Sequence, residues 1–225
     1  MCLFKPVNKR PKVSIDMPSR ALITVTLLLG SVSNVIAASS VDLSVVGVIT
    51  PSACTPTLSN SGVVDHGKLS VQDFPANEMV LPQATLQLEV ICDGPLLMAV
   101  KSTDNRAGTA NVYSYVDPRS VYGLGLASGG EKIGRYTFRT ANATADGNPA
   151  AVIESVDQTT WMGADVAVWQ PGWMRSVSSG GLTPMAVTTF KADLLLDTVL
   201  ASKRSLPITE EIQIDGSATL DVVYL

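Results

Sequence analysis

The sequence has few of the residues from which metal sites and many catalytic sites are built. Its 225 residues include three Cys and one His. Metal sites and nucleophilic triads draw on several such side chains, so little material is present for either. No Ser lies in the Gly-x-Ser-x-Gly context of a hydrolase nucleophile. We therefore expect a protein that is not an enzyme and holds no cofactor or metal, with His66 as a structural residue at a surface or rim.

Charge is also scarce, and most of it is negative. Charged residues make up 16% of the chain and hydrophobic residues 46%, and the net charge is −4 with a pI near 4.9. This balance excludes a disordered polyelectrolyte. A nucleic-acid partner would require a basic surface, so none is expected.

The first 37 residues have the pattern of a signal peptide. A basic stretch precedes the apolar run Ala21 to Leu29, and small and polar residues follow it. Val35 and Ala37 suit the −3 and −1 positions, so we expect cleavage before Ala38, with Ser39 as an alternative first residue. The apolar run falls short of the ~20 residues of a membrane span, and no later segment is a candidate.

Removal of this segment changes the net charge and the cysteine content of the chain, whether translation starts at Met1 or at Met17. Lys plus Arg falls from 16 to 11 and Asp plus Glu from 20 to 19, which leaves a charge of −8 over 188 residues. Cys2 is removed as well. The remaining pair, Cys54 and Cys92, would enter an oxidising compartment, and we predict that it forms one disulfide.

Alternation of apolar and polar residues, the period of β-strands, dominates the rest of the chain. It is clear over residues 86–92 and 190–196, with Cys92 facing the core. Turns are predicted at Asp93–Pro95 and Ser128–Gly130. Longer loops are predicted at Thr103–Ala110 and Ala141–Ala150. Many short strands between clusters of turn residues predict an all-β sandwich in one domain.

The C-terminal segment shows the clearest alternation. Its acidic residues lie at odd-numbered positions and should face water. Its small and apolar residues lie at even positions: Ile212, Ile214, Gly216, Ala218, Leu220, Val222 and Tyr224. We predict one long strand with an apolar face.

The first segment after the expected cleavage point alternates in the same way. The residues concerned are Val41, Leu43, Val45, Gly47 and Ile49. The segment is either an ordinary first strand of its own sheet or a strand that adds to an exposed sheet edge of another molecule. Periodicity leaves both interpretations open.

The order and spacing of several motifs resemble the structural subunits, or pilins, of chaperone–usher fimbriae. The motifs are Val45-x-Gly47-x-Ile49, Pro51-Ser-Ala-Cys54, the short strand-like Val64-Asp-His-Gly-Lys-Leu69, Leu86-x-Leu88-x-Val90-x-Cys92 and the penultimate Tyr224. The middle of the chain and its ending look like a less studied fimbria-associated family of unassigned function. The chain is longer than most major pilins, and Ile212 stands where they usually carry a glycine, with Gly216 as the candidate substitute.

The resemblance implies an immunoglobulin-like sandwich, residues 51–225, that lacks its final strand. Residues 38–50 would be a donor strand that completes a neighbouring subunit. The even face of 212–224 would line the acceptor groove, and the carboxylate of Leu225 would be anchored by a periplasmic chaperone. The implied partners are that chaperone, an outer-membrane usher and neighbouring fimbrial subunits. The implied function is that of a structural subunit of a surface fimbria, contributing to adhesion.

An alternative from a different class is a self-contained secreted or periplasmic β-sandwich that binds a carbohydrate or small ligand. Trp161, Trp169 and Trp173 lie close together in the sequence. Such side chains stack on sugars or anchor interfaces, but they also fill the ends of sandwiches. The sequence leaves the receptor and the position along a fibre open.

Overall fold

The computed structural model describes residues 44–46 and 53–225. The chain divides into two units, Met1–Val48 and Ile49–Leu225, and every strand named below belongs to the second. The predicted signal peptide, residues 1–37, lies outside the described residues. So do the predicted donor residues Val41, Leu43, Gly47 and Ile49, whereas Val45 is described and is 89% exposed.

The described part of the chain contains twelve β-strands and four short 3₁₀ segments. The strands are β1 (Cys54–Leu58), β2 (Met79–Val80), β3 (Ala84–Leu96), β4 (Met98–Asp104), β5 (Tyr122–Gly123), β6 (Gly134–Ala145), β7 (Asn148–Pro149), β8 (Ala151–Ser155), β9 (Met162–Gly163), β10 (Met174–Ser178), β11 (Val187–Leu200) and β12 (Ala218–Tyr224). The 3₁₀ segments are Ser59–Gly62, Val71–Asp73, Pro118–Ser120 and Lys203–Ser205. Among these residues no helix has the length and hydropathy of a membrane span.

The strands form two antiparallel sheets, as the all-β prediction requires. The first sheet has the order β1-β3-β11-β6-β5, with β2 beside β11 and β7 beside β6. The second has the order β12-β4-β10-β8-β9. Both sheets contribute to one buried cluster, for example Leu88 from β3 and Val100 from β4. The described chain is therefore an all-β, sandwich-like structure.

The long strands β3 and β11 confirm the predicted alternation. Leu86, Leu88, Val90 and Cys92 are buried, whereas Gln87 and Ile91 between them are exposed. Alternation arises because successive side chains of a strand point to opposite faces of the sheet. The pattern therefore identifies the face that packs into the core.

The predicted disulfide is present. Cys54 of β1 lies opposite Cys92 of β3, and their sulfur atoms are bonded across a sequence separation of 38 residues. The bond ties the first strand to its neighbour, and Cys92 contributes to the buried core.

The turn predicted at Asp93–Pro95 is wrong. β3 runs through these residues to Leu96, and the chain passes to the second sheet at Leu97. The β3–β11 register moves from Leu96–Val187 to Ile91–Thr189, so the intervening residues of β3 form a bulge. A bulge accommodates Pro95, which has no backbone N–H to donate to a ladder.

The loop predicted at Ala141–Ala150 is also wrong, because β6 and β7 form a hairpin there. Ala145 pairs with Asn148, and Asp146 and Gly147 between them both have positive φ, 49° and 81°. Two central residues with positive φ make the tight turn that hairpins favour. By contrast, the turn at Ser128–Gly130 is confirmed by the Leu126–Lys132 bridge around it.

The interior contains a charged pair that the sequence analysis missed. Arg175 on β10 is fully buried and lies 3.0 Å from a carboxylate oxygen of Glu154 on β8. Its guanidinium also donates to Thr140 Oγ1 at 2.8 Å and lies 5.1 Å from the ring centroid of Trp169. Burial lowers the pKa of Arg175. The guanidinium thus crosses the space between the sheets and bonds to both.

A groove beside the last strand

The outermost strands β1 and β12 lie near each other at one side of the molecule. The backbone N–H of Cys54 donates a 2.9 Å hydrogen bond to the hydroxyl oxygen of Tyr224. β1 pairs with β3 alone and β12 with β4 alone among the described strands. An edge strand presents a row of N–H and C=O groups to which another strand can bond. The side of the sandwich between β1 and β12 therefore presents two strand edges that pair with no further described strand.

A cavity of about 250 Å³ enters the space between the two sheets at this side. Its apolar floor comes from strands of the first sheet, and Ala218 and Leu220 of β12 form its opposite wall. The floor residues are Leu86, Tyr136, Phe138, Leu194 and Leu196. All of them except Leu196 are buried. The cavity therefore extends into the hydrophobic core and is more than a shallow surface depression.

A second cavity, of about 560 Å³, continues from the first. Val64, His66 and Ile214 line both cavities. The second one lies between residues 64–69 and residues 206–214, and its floor includes Ile133 and Leu200. We call the two cavities together the edge groove.

Contacts with residues distant in sequence hold Asp215 and Gly216 beside the groove, outside the sheet. The backbone N–H of Asp215 donates to the carbonyl of Leu124 at 3.0 Å, and the guanidinium of Arg106 donates two 2.8 Å hydrogen bonds to the Asp215 carboxylate. Arg106 therefore lowers the pKa of Asp215. A Cβ on Gly216 would come within 2.8 Å of Leu124 and 3.1 Å of Tyr136, so a residue without a side chain fits this close approach.

This arrangement corrects the prediction of one strand over residues 212–224, because β12 begins only at Ala218. The even-numbered residues Ile212, Ile214, Gly216, Ala218 and Leu220 nevertheless line the edge groove. Val222 packs against the core. Tyr224 and Leu225 lie beyond the groove, where the Leu225 N–H donates to the Leu97 carbonyl at 3.1 Å.

Residues Val64 to Leu69 form the wall of the second cavity that faces residues 206–214. They are not the short strand that the pilin resemblance implied. Asp65 accepts a 2.7 Å hydrogen bond from the N–H of Gly67, and Gly67 has a φ of 65°. An Asx turn with a left-handed glycine breaks an extended strand. His66, half-buried, lies 3.1 Å from Thr198 Oγ1 through Nε2, as a rim position predicts.

The Asp, Glu and Lys residues of the edge groove lie at its wider end and are mostly acidic. Asp65, Glu210 and Glu211 line the second cavity, with Lys68 as the basic residue among its lining residues. Glu210 is hydrogen-bonded to Ser128. Within residues 44–46 and 53–225, no group of three His, Cys, Asp or Glu side chains is placed to hold a metal ion.

The three Trp residues have different environments. Trp169 is fully buried and packs 5.5 Å from the ring of Phe138, so the packing interpretation holds for it. Trp161 is half-buried and donates to the carbonyl of Gln158 at 3.2 Å. Trp173 is half-buried and lines a third cavity, of about 420 Å³, on another part of the surface.

The wall of the edge groove extends beyond the C-terminal residues for which the sequence predicted a lining role. Leu206 and Ile208 line the wider cavity, as does Phe74. Leu206 and Ile208 extend the even-numbered series of Ile212 and Ile214 towards the N-terminus, although they lie in an irregular segment. The available signal was therefore a continuation of the same alternation, whereas Phe74 had no such signal.

Comparison with known proteins places this chain beside proteins of undefined role. A family profile described as "Protein of unknown function (DUF1120)" matches residues 43–137. Protein GltF of Escherichia coli K12 is 28% identical over 228 residues, which cover 82% of this chain and 88% of GltF. The uncharacterized protein YhcF of the same strain is 25% identical over 221 residues, covering 84% and 92%. The similarity therefore extends over most of the chain, and neither the description nor the names refer to fimbriae.

Proposed function

We propose that this protein is a non-enzymatic structural subunit of a surface fimbria and that its edge groove accepts a β-strand from another molecule. The observation that carries the proposal is the coincidence of an unpaired edge on β12 with a groove that opens into the core. Assembly would proceed through a periplasmic chaperone and an outer-membrane usher, and the product would contribute to adhesion at the cell surface.

The strand order supports an immunoglobulin-like sandwich without its last strand. Immunoglobulin constant domains have the sheets A-B-E-D and C-F-G. In chain order β1, β3, β4, β6, β11 and β12 take the places of strands A to F, because the first sheet reads β1-β3-β11-β6 and β12 lies beside β4. The insertion β8 to β10 extends the second sheet on the other side of β4. The place of strand G, beside β12, is where the edge groove lies.

Burial gives the expected strength of strand binding. Leu86, Phe138 and Leu194 line the groove although they belong to the core. Each apolar side chain that an incoming strand buried against them would contribute about 1.5–3 kcal/mol before entropy is subtracted. Four anchors would provide roughly 6–12 kcal/mol, which is comparable to the stability of a whole domain. A subunit with an empty groove would therefore be much less stable than a filled one.

The N-terminal segment is the natural donor in this scheme. Fully extended, residues 41–49 span about 30 Å, whereas the seven residues of β12 span about 23 Å. A strand of that length would reach past β12 towards Ile214 and Ile212. A donor segment and an acceptor groove that are different surfaces of the same chain make a heterologous interface, and such an interface propagates as a fibre.

The test is to supply the missing strand within one chain. Residues 38–50 are fused behind Leu225 through a short flexible linker, and thermal unfolding and soluble yield are compared with those of the unfused protein. We expect a higher Tm and higher yield from the fusion. A matched fusion with Leu43→Asp and Ile49→Asp should lose the gain, because charged side chains would enter the apolar groove. Equal stability of all three proteins would contradict the proposal.

Deletion provides the converse test. A chain without residues 38–50 should still need a partner for stability, and it should no longer form polymers in a strand-exchange assay. If this chain instead proves stable and monomeric by itself, the protein is a self-sufficient sandwich and the fimbrial proposal fails.

The third cavity favours a second candidate function, the binding of a small carbohydrate. Trp173 and Pro171 supply apolar faces, and Arg119, Lys132 and Gln170 supply polar groups in the same cavity. This combination is typical of ligand sites. Trp173→Ala should abolish glycan binding, whereas Trp161→Ala, outside the cavity, should leave it intact. Unchanged adhesion in the Trp173 variant at equal expression would exclude this function.

A further inference from the structure

The backbone of β12 directs its even-numbered residues towards the unpaired side of the strand. The N–H of Asn105 donates to the carbonyl of Ser217 at 3.0 Å, and the N–H of Leu225 donates to the carbonyl of Leu97 at 3.1 Å. Odd-numbered residues at both ends of β12 therefore bond on the β4 side. Because successive residues of an antiparallel strand alternate in this respect, the even-numbered residues present their N–H and C=O groups on the other side.

At Asp215 a side chain takes the place of the neighbouring strand. β4 ends at Asp104 and the chain turns there, so β4 does not extend alongside Asp215. Arg106 lies in this turn. Its Nε donates to the Asp215 carbonyl at 3.1 Å, and its guanidinium donates two 2.8 Å bonds to the carboxylate. The N–H of Asp215 donates to the carbonyl of Leu124 at 3.0 Å. Both backbone groups of Asp215 are thus engaged, as those of the odd-numbered residues of β12 are.

The two even-numbered residues beside Asp215 have unused backbone groups. Ile214 and Gly216 are exposed, and within the described part of the chain their N–H and C=O groups form no backbone hydrogen bond. They therefore continue the unpaired edge of β12 by two even-numbered positions. The edge that is offered to an incoming strand extends from Tyr224 to Ile214.

The narrower cavity of the edge groove lies alongside this extension. Its wall includes Ile214, Gly216 and Ser217 as well as Ala218 and Leu220 of β12. An incoming strand that paired with β12 alone would stop at Ala218 and leave the part of the cavity beside Gly216 empty. A strand two residues longer would end opposite Gly216 and could place an apolar side chain in that space.

We infer that Arg106 is a positioning residue for strand capture. By holding Asp215, it keeps the adjoining residues in line with β12, so that the acceptor edge takes a strand longer than β12 itself. The inference rests on the proposed function, and it adds a residue outside the groove lining that determines how long the captured strand can be.

The predicted donor has the length that this extended edge requires. Its alternation covers nine positions, residues 41–49, against the seven of β12. The described strands pair antiparallel, as β12 does with β4. An antiparallel donor that starts opposite Tyr224 would bring Ile49 opposite Gly216. Binding of Ile49 should therefore depend on Arg106, whereas binding of the preceding donor residues should not.

Peptide length separates this positioning role from a general effect on stability. Fluorescein-labelled peptides of residues 38–50 and 38–47 are titrated with the monomeric full chain, isolated by size exclusion, and binding is followed by fluorescence anisotropy. The parent should bind the longer peptide about tenfold more tightly, because Ile49 is buried as well. Arg106→Gln should bind the longer peptide about as weakly as the shorter one, with the affinity for the shorter peptide unchanged.

Three further variants sharpen the assignment. Arg106→Lys should recover part of the preference for the longer peptide, because an ammonium keeps the charge but not the paired guanidinium geometry. Asp215→Ala should reproduce the loss from the other partner, and it keeps the test usable if Arg106→Gln yields little soluble protein. Arg139→Gln is the matched control, because Arg139 forms an ion pair of similar exposure with Asp197 on β6 and β11, at 3.0 Å. It should leave both affinities unchanged.

The outcomes distinguish this inference from the proposed function. If Arg106→Gln weakens both peptides by the same factor, or keeps the preference for the longer one, Arg106 does not position the acceptor edge and the proposed function stands. If the parent itself has no preference for the longer peptide, the donor does not reach Gly216 and the inference is wrong. If neither peptide binds to the parent, the groove does not accept strands, and both proposals fall.

Discussion

The N–H of Cys54 donates to the hydroxyl oxygen of Tyr224 at 2.9 Å, and this bond joins the first strand of one sheet to the last strand of the other. The two residues are separated by 170 positions. Cys54 is also held by its disulfide to Cys92. The edge groove thus has a fixed end near Tyr224, while its opposite end, at residues 206–214, lies outside the sheets.

Tyr224→Phe tests this contact. The variant keeps the ring and removes the acceptor of the Cys54 N–H, so the free energy of unfolding should fall by about 0.5–1.5 kcal/mol. Urea denaturation measures the change. Tyr113→Phe, which removes a hydroxyl from a stacked surface pair with Tyr115, should change stability less. A Tyr224 variant as stable as the parent would mean that water replaces the lost acceptor without cost.

Sequence patterns predicted those parts of the fold in which burial follows a strict period. β3 and β11 have one face in the core, so their alternation was readable and placed Cys92 correctly. In β10 all five residues are buried, because β10 lies between β4 and β8 and its inward Arg175 is neutralised by Glu154. No period in the sequence indicates such a strand, and an arginine argues against burial.

The edge groove also shows how far sequence patterns alone can predict structure. Ile214 and Leu220 belong to the even face that the pilin resemblance implies for an acceptor groove, and both line the edge groove. The break in the strand before Ala218 depends on Arg106, more than 100 residues away, which binds Asp215. Tertiary contacts of this kind override a local strand pattern. Contacts with residues distant in sequence therefore determine where a strand begins, which the periodicity of the sequence does not specify.

Loss of the disulfide should destabilise the protein strongly. Cys54→Ser removes a cross-link that closes a 38-residue separation, and such losses cost about 2–5 kcal/mol in small secreted domains. We expect a lower Tm and less soluble protein after export. The parent treated with a reductant should behave like the variant. Normal yield and normal heat stability of the Cys54 variant would contradict a stabilising role for this bond.

The buried ion pair predicts a strongly non-additive double-mutant cycle. Arg175→Met leaves the Glu154 carboxylate, which is almost inaccessible to solvent, without its partner and should cost about 3–5 kcal/mol. Glu154→Gln leaves a buried guanidinium and should cost a similar amount. The double variant should cost much less than the sum, because no unpaired charge remains. Additive losses in chemical denaturation would show that the two charges do not interact.

A second ion pair, between Arg135 and Glu78, is half-buried and should make the free energy of unfolding depend on pH. Glu78 receives hydrogen bonds from Arg135, one of them 3.0 Å long, and from the Tyr115 hydroxyl at 2.8 Å. The hydrogen bond from Arg135 is the largest cause that lowers the pKa of Glu78 below its ordinary value of 4.5. A carboxyl whose pKa is lower in the folded state stabilises the fold above that ordinary value and loses this contribution as the pH falls through the folded pKa.

Glu78→Gln should therefore cost about 1–3 kcal/mol at pH 7, where the parent glutamate is ionised and bonded to Arg135. The difference between parent and variant should narrow as the pH drops below about 4.5, because the parent is then protonated as well. Urea denaturation at a series of pH values measures this convergence. Tyr115→Phe is the matched control, since it removes the second hydrogen bond but keeps the ion pair, and its loss should be smaller. A parent–variant difference that stays constant from pH 7 to about pH 3 would exclude a stabilising role for ionised Glu78.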